Sequence, residues 1–345
     1  MKEQMLIAQS LGTSNMQSIV QMQRWMLRMC FAIESLGAFL LMLRFLPEYG
    51  LKRALWLGIF HAISAFCNAG FDILGFRAPG ASLTTYGTDP FILLPLSLLI
   101  ILGGLGYLVW EEVARVRRWK KLSVYARLVL LATLSLLAIG TGLILILEWN
   151  NPETLGPMTV PQKILAAFFQ SVTLRTAGFS GVSQEALTDG GKLVSMTLML
   201  VGGSSGSTAG GLKTVTLLVI LLFLKSRMLG HSTVTVFHRS IPMSLVLNAL
   251  SIFGLMVSLS FLGACVICAT SPVTLSEALY ESVSAIATVG LSCNATGRLS
   301  LAGKLLICVY MYFGRVGILT ISLGFLHPRA TEPRYRYADT TLLIG

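Results

Sequence analysis

The chain has 345 residues, of which 54% are hydrophobic and 12% charged, with a mean hydropathy of +0.75. Soluble domains carry about 25% charged residues, so an ordinary globular class is excluded. The net charge of +11 does not point to nucleic acid, because the basic residues collect in short connectors between apolar runs instead of covering one face.

Crossing a hydrocarbon core of about 30 Å takes roughly 20 apolar residues, and six runs are expected to span. The first 20 residues are polar and mixed, unlike a cleavable signal peptide. The first span, about 25–48, is followed by a shorter apolar segment at 54–71, with FHAISAFCNAGF starting at Phe60. The second, about 91–113, leads into Arg115, Arg117, Arg118, Lys120, Lys121 and Arg127. The third, about 125–148, precedes another short segment at 162–179, with FFQSVTLRTAGF from Phe168. The fourth run, about 191–225, contains GGSSGSTAGGLKT at 202–214 and ends at Lys225, Arg227 and Arg239. The fifth, about 243–268, precedes the short segment 276–291, with YESVSAIATVGL from Tyr280. The sixth, about 301–325, runs into Arg329, Arg334 and Arg336. The positive-inside rule places these basic connectors and both termini in the cytoplasm, and Glu148–Lys163 and Ser271–Glu277 outside.

The three short segments read as re-entrant half-helices. Each ends in a glycine (Gly70, Gly178, Gly290) with an aromatic residue ten positions earlier and an apolar residue just after. Each is followed by an apolar run carrying G-x-x-G, at Gly103–Gly106, Gly203–Gly206 and Gly314–Gly317. The glycines lie 108 and 112 residues apart, far beyond the period of a solenoid. Membrane proteins are glycine-rich in general, but three such segments in register form an internal repeat. The expected fold is therefore all-α and membrane-integral, with helix, pore-loop and helix units around a pore. Its parts are a connector at 1–24, repeats at 25–120, 121–240 and 241–328, and a tail at 329–345.

Irregular backbone at membrane depth survives only where it is buried in protein or lines water. A ring of backbone carbonyls can replace the hydration shell of a monovalent cation, and glycine admits positive φ and a close approach to the ion. Gly70, Gly178 and Gly290 are thus the leading candidates for a selectivity filter holding K+, with Asn68, Ala69, Thr176, Ala177, Thr288 and Val289 supplying neighbouring carbonyls. Gly202, Gly203, Ser204, Ser205, Gly206, Ser207, Gly210 and Gly211 are poor material for continuous helix. They are expected to break the fourth run into a loop below the filter, where Arg315 joins them as a gate. A charge inside a span is functional by default, although snorkelling to the interface is the alternative for Arg315. Arg175 is a candidate anchor for the filter loop, and Asp72 either attracts cations or caps a turn.

In combination, FHAISAFCNAGFD, SVTLRTAGF, GGSSGSTAGGLKT, SAIATVGLS and FGRVGILT resemble the Trk/Ktr/HKT potassium transporter family, membrane-subunit type, over essentially the whole chain. The resemblance implies a pseudo-fourfold pore of four joined repeats in the cell membrane. It also implies a homodimer, K+ as the transported ion, Na+ as a coupling or activating ion in Ktr systems, and a cytosolic nucleotide-binding ring as regulator. Against that pattern the three repeats here match the second, third and fourth, and residues 1–24 resemble the connector that follows the first. A chain lacking one filter quarter is expected not to conduct alone; a non-conducting fragment or scaffold is the alternative.

Other patterns carry less. The 202–214 run differs by one inserted residue, Leu212, from a phosphate-binding loop, and that motif needs a preceding strand. His61 with Ser204, Ser205 or Ser207 would make an intramembrane serine protease only if the groups met within hydrogen-bond reach. Otherwise His61 is a packing residue. Cys265 and Cys268 form a lone C-x-x-C within an apolar run, where packing is the expected role; Cys30, Cys67, Cys293 and Cys308 suggest no disulfide framework. Asn294-Ala295-Thr296 spells a glycosylation acceptor without a secretory context.

Overall fold

The computed structural model describes residues 16–77, 80, 82–237 and 239–316, so expectations for 1–15 and 317–345 lie outside the described residues. Helix α1 (Met16–Phe66) is two helical pieces in one element, broken at Gly50 (φ 71°, ψ 167°) shortly after Pro47. Its first piece is the expected span and its second the first short helix. Helices α2 (Pro90–Leu105) and α3 (Tyr107–Val116) follow, then α4 (Val124–Glu148), α5 (Val160–Thr173) and α6 (Asp189–Leu200). Helix α7 (Thr214–Met228) leads into an antiparallel hairpin of β1 (Val234–Val236) and β2 (Arg239–Ile241). Helices α8 (Met243–Thr270), α9 (Leu275–Ile286) and α10 (Leu301–Val316) complete the described chain.

The run expected as one span over 91–113 is broken. Gly106 sits at φ 81° and ψ 149°, and α2 and α3 meet at a bend of 95°. The bend leaves room for the glycine-serine loop: a Cβ on Gly106 would lie 2.9 Å from Ser204 Oγ and 3.0 Å from the Ser205 carbonyl. Composition conceals the break, because apolar residues continue through it. The 191–225 run is broken as expected, into α6 and α7. The ends of the intervening loop are tied by a bridge between Val201 and Leu212, with Gly202 N–H donating to Leu212 O at 2.9 Å.

Among the described residues, three helices suffice by length and composition to cross a membrane, at Val20–Phe66, Val124–Glu148 and Met243–Thr270, and a fourth if α2 and α3 form one broken span. The difference from six has two causes. Helices α6 and α7 are each shorter than a full span, and α10 is described only to Val316. Leu134, Ile146, Leu245 and Leu262 stand exposed along α4 and α8, as expected where lipid replaces water as the neighbour.

Each short helix is held against its own repeat. The second piece of α1 shares a core with α2 that includes Leu57, Ala62, Phe66, Leu96 and Ile100. Helix α5 packs on α4, and α9 packs on α8 and α10. The capping boxes Thr159/Gln162 and Thr274/Glu277 start α5 and α9 by satisfying end amides. Buried Glu148, at the end of α4, accepts hydrogen bonds from Asn151 Nδ2 (2.7 Å), Thr154 (2.7 Å) and the Thr188 hydroxyl (2.6 Å). These bonds tie α4 to the start of α6.

Candidate functional site

All three short helices end in a turn of one shape. The residue two before the glycine and the glycine itself both take left-handed φ: Asn68 50° and Gly70 71°, Thr176 66° and Gly178 87°, Thr288 55° and Gly290 91°. Asparagine tolerates this region, but a β-branched threonine there is an outlier, held at a cost of about 1–3 kcal/mol. Hydrogen bonds hold it. The amides of Ala69, Ala177 and Val289 donate back to the carbonyls of Ser64 (2.8 Å), Thr173 (3.0 Å) and Ser284 (2.8 Å) in their own short helices. A trans peptide sets its C=O opposite its N–H. The carbonyls of Asn68, Thr176 and Thr288 therefore point away from the helices.

The turns converge. A Cβ on Gly70 would run into the Ala177 carbonyl and come within 2.8 Å of Gly178 Cα. One on Gly178 would run into the Val289 carbonyl and lie 3.3 Å from Gly70 Cα. Gly290 meets nothing within 4 Å. It borders a cavity of about 450 Å³ that also touches Gly70, Phe71, Thr288 and Arg315. A second cavity, of about 650 Å³, is lined by the loops that follow the turns, including Ser180, Glu185 and Asn294, and by Glu153.

The 202–213 loop lies directly against the turns and touches the strained residue of each. Thr208 Oγ1 donates to the Phe66 carbonyl (3.0 Å) and accepts from Asn68 Nδ2 (3.2 Å). A Cβ on Gly202 would be 3.2 Å from Thr176 Cγ2, and one on Gly210 would be 3.0 Å from Thr288 Cβ. The loop is anchored to the α2–α3 bend, where the Ser204 amide donates to Gly104 O at 2.9 Å and the Tyr107 amide to Gly206 O at 3.4 Å.

Three cationic side chains hold its carbonyls: Arg315 Nη1 on Thr208 O (2.6 Å), Lys213 Nζ on Ala209 O (2.8 Å) and Arg175 Nη2 on Gly202 O (3.2 Å). Arg175 is buried and acts as an anchor, although of the glycine-serine loop and not of its own turn. Arg315 is not buried as a charge inside a span would be; it is exposed and borders the cavity beside Gly290. Sequence reasoning counts Thr208 among the hydroxyls of the 202–211 loop without its bonds to Phe66 and Asn68, and misses Lys213 as a loop anchor. Their signal was available, since both sit inside the glycine-serine run.

The remaining candidates resolve simply. Asp72 accepts from the Leu74 amide at 3.0 Å, so it caps a turn. His61 is fully buried, with Nδ1 bonded to Leu57 O at 2.8 Å and its ring against Phe45, Phe60 and Phe179. The hydroxyls of Ser204 and Ser207 go to the carbonyls of Leu105 and Ser204. A helix, α6, precedes the glycine-serine loop where a phosphate-binding loop needs a strand. Cys265 and Cys268 are free thiols, and among the described residues no group of three or more His, Cys, Asp or Glu could hold a metal.

Comparison with known proteins agrees with this architecture. The TrkH family profile, described as cation transport protein, matches residues 3–334. The potassium/sodium uptake protein NtpJ of Enterococcus hirae is 35% identical over 99% of this chain and 75% of its own length. The Ktr system potassium uptake protein B of Bacillus subtilis is 34% identical over 100% of this chain and 76% of its own. The chain thus spans about three quarters of the length of these relatives. The crystal structure of the potassium transporter TrkH from Vibrio parahaemolyticus superimposes with a TM-score of 0.70 at 18% identity, over 94% of this chain and 68% of that one. The chain belongs to the TrkH family of cation transport proteins.

Proposed function

We propose that this chain is the pore-forming subunit of a potassium uptake system. Carbonyls of Asn68–Gly70, Thr176–Gly178 and Thr288–Gly290 replace water around the ion, and the glycine-serine loop with Arg315 gates the path. One observation carries the reading. Three turns with the same alternation of backbone handedness face one another, with the Ala177 and Val289 carbonyls packed against the glycine of the preceding turn. Such convergent carbonyls solvate a monovalent cation, and relatives named for potassium or potassium/sodium uptake support potassium as that ion. Sodium enters as the second ion, coupling or activating, in keeping with the name of the Enterococcus relative.

The open side between Gly290 and Gly70 takes a fourth turn, which completes a pseudo-fourfold ring in a multi-pass plasma-membrane protein with cytoplasmic termini. The basic connectors at 115–127 and 225–239 form the cytoplasmic docking face for a nucleotide-binding ring, on a homodimer. They stand together through Arg127, whose guanidinium lies 5.8 Å from the Phe237 ring centroid.

The test is rubidium uptake in a bacterium lacking its own potassium uptake. Cells carrying the chain together with a fourth helix–turn–helix quarter are expected to take up rubidium and grow on low potassium, and cells with residues 1–345 alone are not. The open flank at Gly290 favours a second reading, a non-conducting scaffold. Absence of uptake with the ring completed and the protein well expressed selects that reading over the pore.

A further inference from the structure

Behind the turns, one hydroxyl-bearing residue recurs in each short helix: Ser64, Thr173 and Ser284, all buried. Each carbonyl takes the amide that precedes the filter glycine, as described above. Each hydroxyl reaches the far side of the same turn. Ser64 Oγ donates to Phe71 O at 2.7 Å, Thr173 Oγ1 donates to Phe179 O at 2.7 Å, and Ser284 Oγ accepts from the Gly290 amide at 3.1 Å. A single residue therefore clamps its turn on both sides, from a rigid helix.

Resting on the filter reading, we propose that Ser64, Thr173 and Ser284 are positioning residues for ion selectivity: their hydroxyls fix which carbonyls of each turn face the ion and which do not. In the two repeats with a donating hydroxyl, the carbonyl after the glycine is bonded back to the helix and so removed from the ion path. In the third, the bonded group is the glycine amide, which sets the Val289 carbonyl on the opposite side of its peptide plane, toward the ring. The clamp also holds the left-handed φ of Asn68, Thr176 and Thr288, which a free loop would relax. A potassium-sized site depends on carbonyls held at one spacing. A turn released on one side can close around the smaller sodium ion.

The arrangement is asymmetric, and that makes it testable. Thr173→Val keeps the volume of the side chain and removes only the hydroxyl, whereas Thr173→Ser keeps the hydroxyl. In the completed pore, the potassium-over-sodium uptake ratio of Thr173→Val is expected to fall about tenfold, the scale of one lost hydrogen bond, and that of Thr173→Ser to stay at the parent value. Ser64→Ala, which leaves only the volume of one hydroxyl empty, is the second variant should Thr173→Val express poorly, with the same expected fall.

Yield and melting temperature are read alongside, because a merely structural role lowers those without moving the ratio. Gly178→Ser is carried as the reference. A parent-like ratio in well-expressed Thr173→Val and Ser64→Ala, with selectivity lost in Gly178→Ser, overturns the clamp and leaves the filter standing. A parent-like ratio in Gly178→Ser as well overturns the filter reading itself, and the clamp with it.

Discussion

Gly178→Ser is expected to abolish selective potassium uptake, and Gly290→Ser to weaken it by about tenfold, with both proteins reaching the membrane. The two glycines share a left-handed φ, 87° and 91°, where any Cβ costs roughly 1–2 kcal/mol. They differ in their neighbours. At Gly178 the new Cβ also runs into the Val289 carbonyl and crowds Gly70 Cα at 3.3 Å, so the substitution displaces a carbonyl of the adjacent repeat that the proposed filter turns toward the ion. At Gly290 nothing lies within 4 Å, and strain acts alone. Uptake of rubidium and sodium by each variant in the completed pore measures the difference. Equal, parent-like ratios in both variants would remove the filter assignment.

Arg315→Ala is expected to raise basal rubidium uptake by roughly tenfold or more, the scale of a hydrogen bond to a charged group, and to make uptake less dependent on the nucleotide-binding ring. Arg315 holds the Thr208 carbonyl at 2.6 Å, and Thr208 in turn bonds Asn68 and Phe66. Removing the guanidinium frees the middle of the loop that lies against the turns and, on the proposed gate, deletes a positive charge from the cation's path. Deleting Gly203–Ser207 acts in the same direction. It also cuts the bond from the Ser204 amide to Gly104 and the contact of Gly206 with Tyr107, so a larger rise comes with lower yield. Arg315→Lys keeps the charge and is expected to stay near the parent. Uptake and ring dependence unchanged in well-expressed Arg315→Ala would end the gate assignment.

Part of this site was legible in the sequence, and the divide follows physical lines. The three turns could be found because the glycine needed for positive φ recurs at a fixed distance from an aromatic residue of the short helix, a pattern that survives without coordinates. The glycine-serine break was legible for the same reason: a helix cannot absorb Gly202, Gly203, Gly206, Gly210 and Gly211 cheaply. The bend at Gly106 was not, because the residues on both sides are as apolar as a straight span. Only the loop from another repeat, packed into the bend, shows why the glycine is there.

The clamp by Ser64, Thr173 and Ser284 was equally hidden. A hydroxyl in a membrane helix reads as unremarkable until its partner on the far side of the turn is known. Lys213 read as the lysine of a failed phosphate-binding motif, whereas its ammonium bonds the Ala209 carbonyl beside the one held by Arg315. Arg315 could be singled out from its place in an apolar run, but its exposure toward the cavity beside Gly290 depends on which elements flank α10, and that is a property of assembly.

The central claim is that the backbone of three glycine turns binds the transported ion. Anomalous X-ray scattering from crystals of the completed protein grown in rubidium tests it most directly. The account predicts rubidium density on the axis between the turns, coordinated by carbonyls of Asn68–Gly70, Thr176–Gly178 and Thr288–Gly290, and lost when sodium replaces rubidium. Ordered turns with no ion between them, and rubidium bound elsewhere along the path, would contradict it.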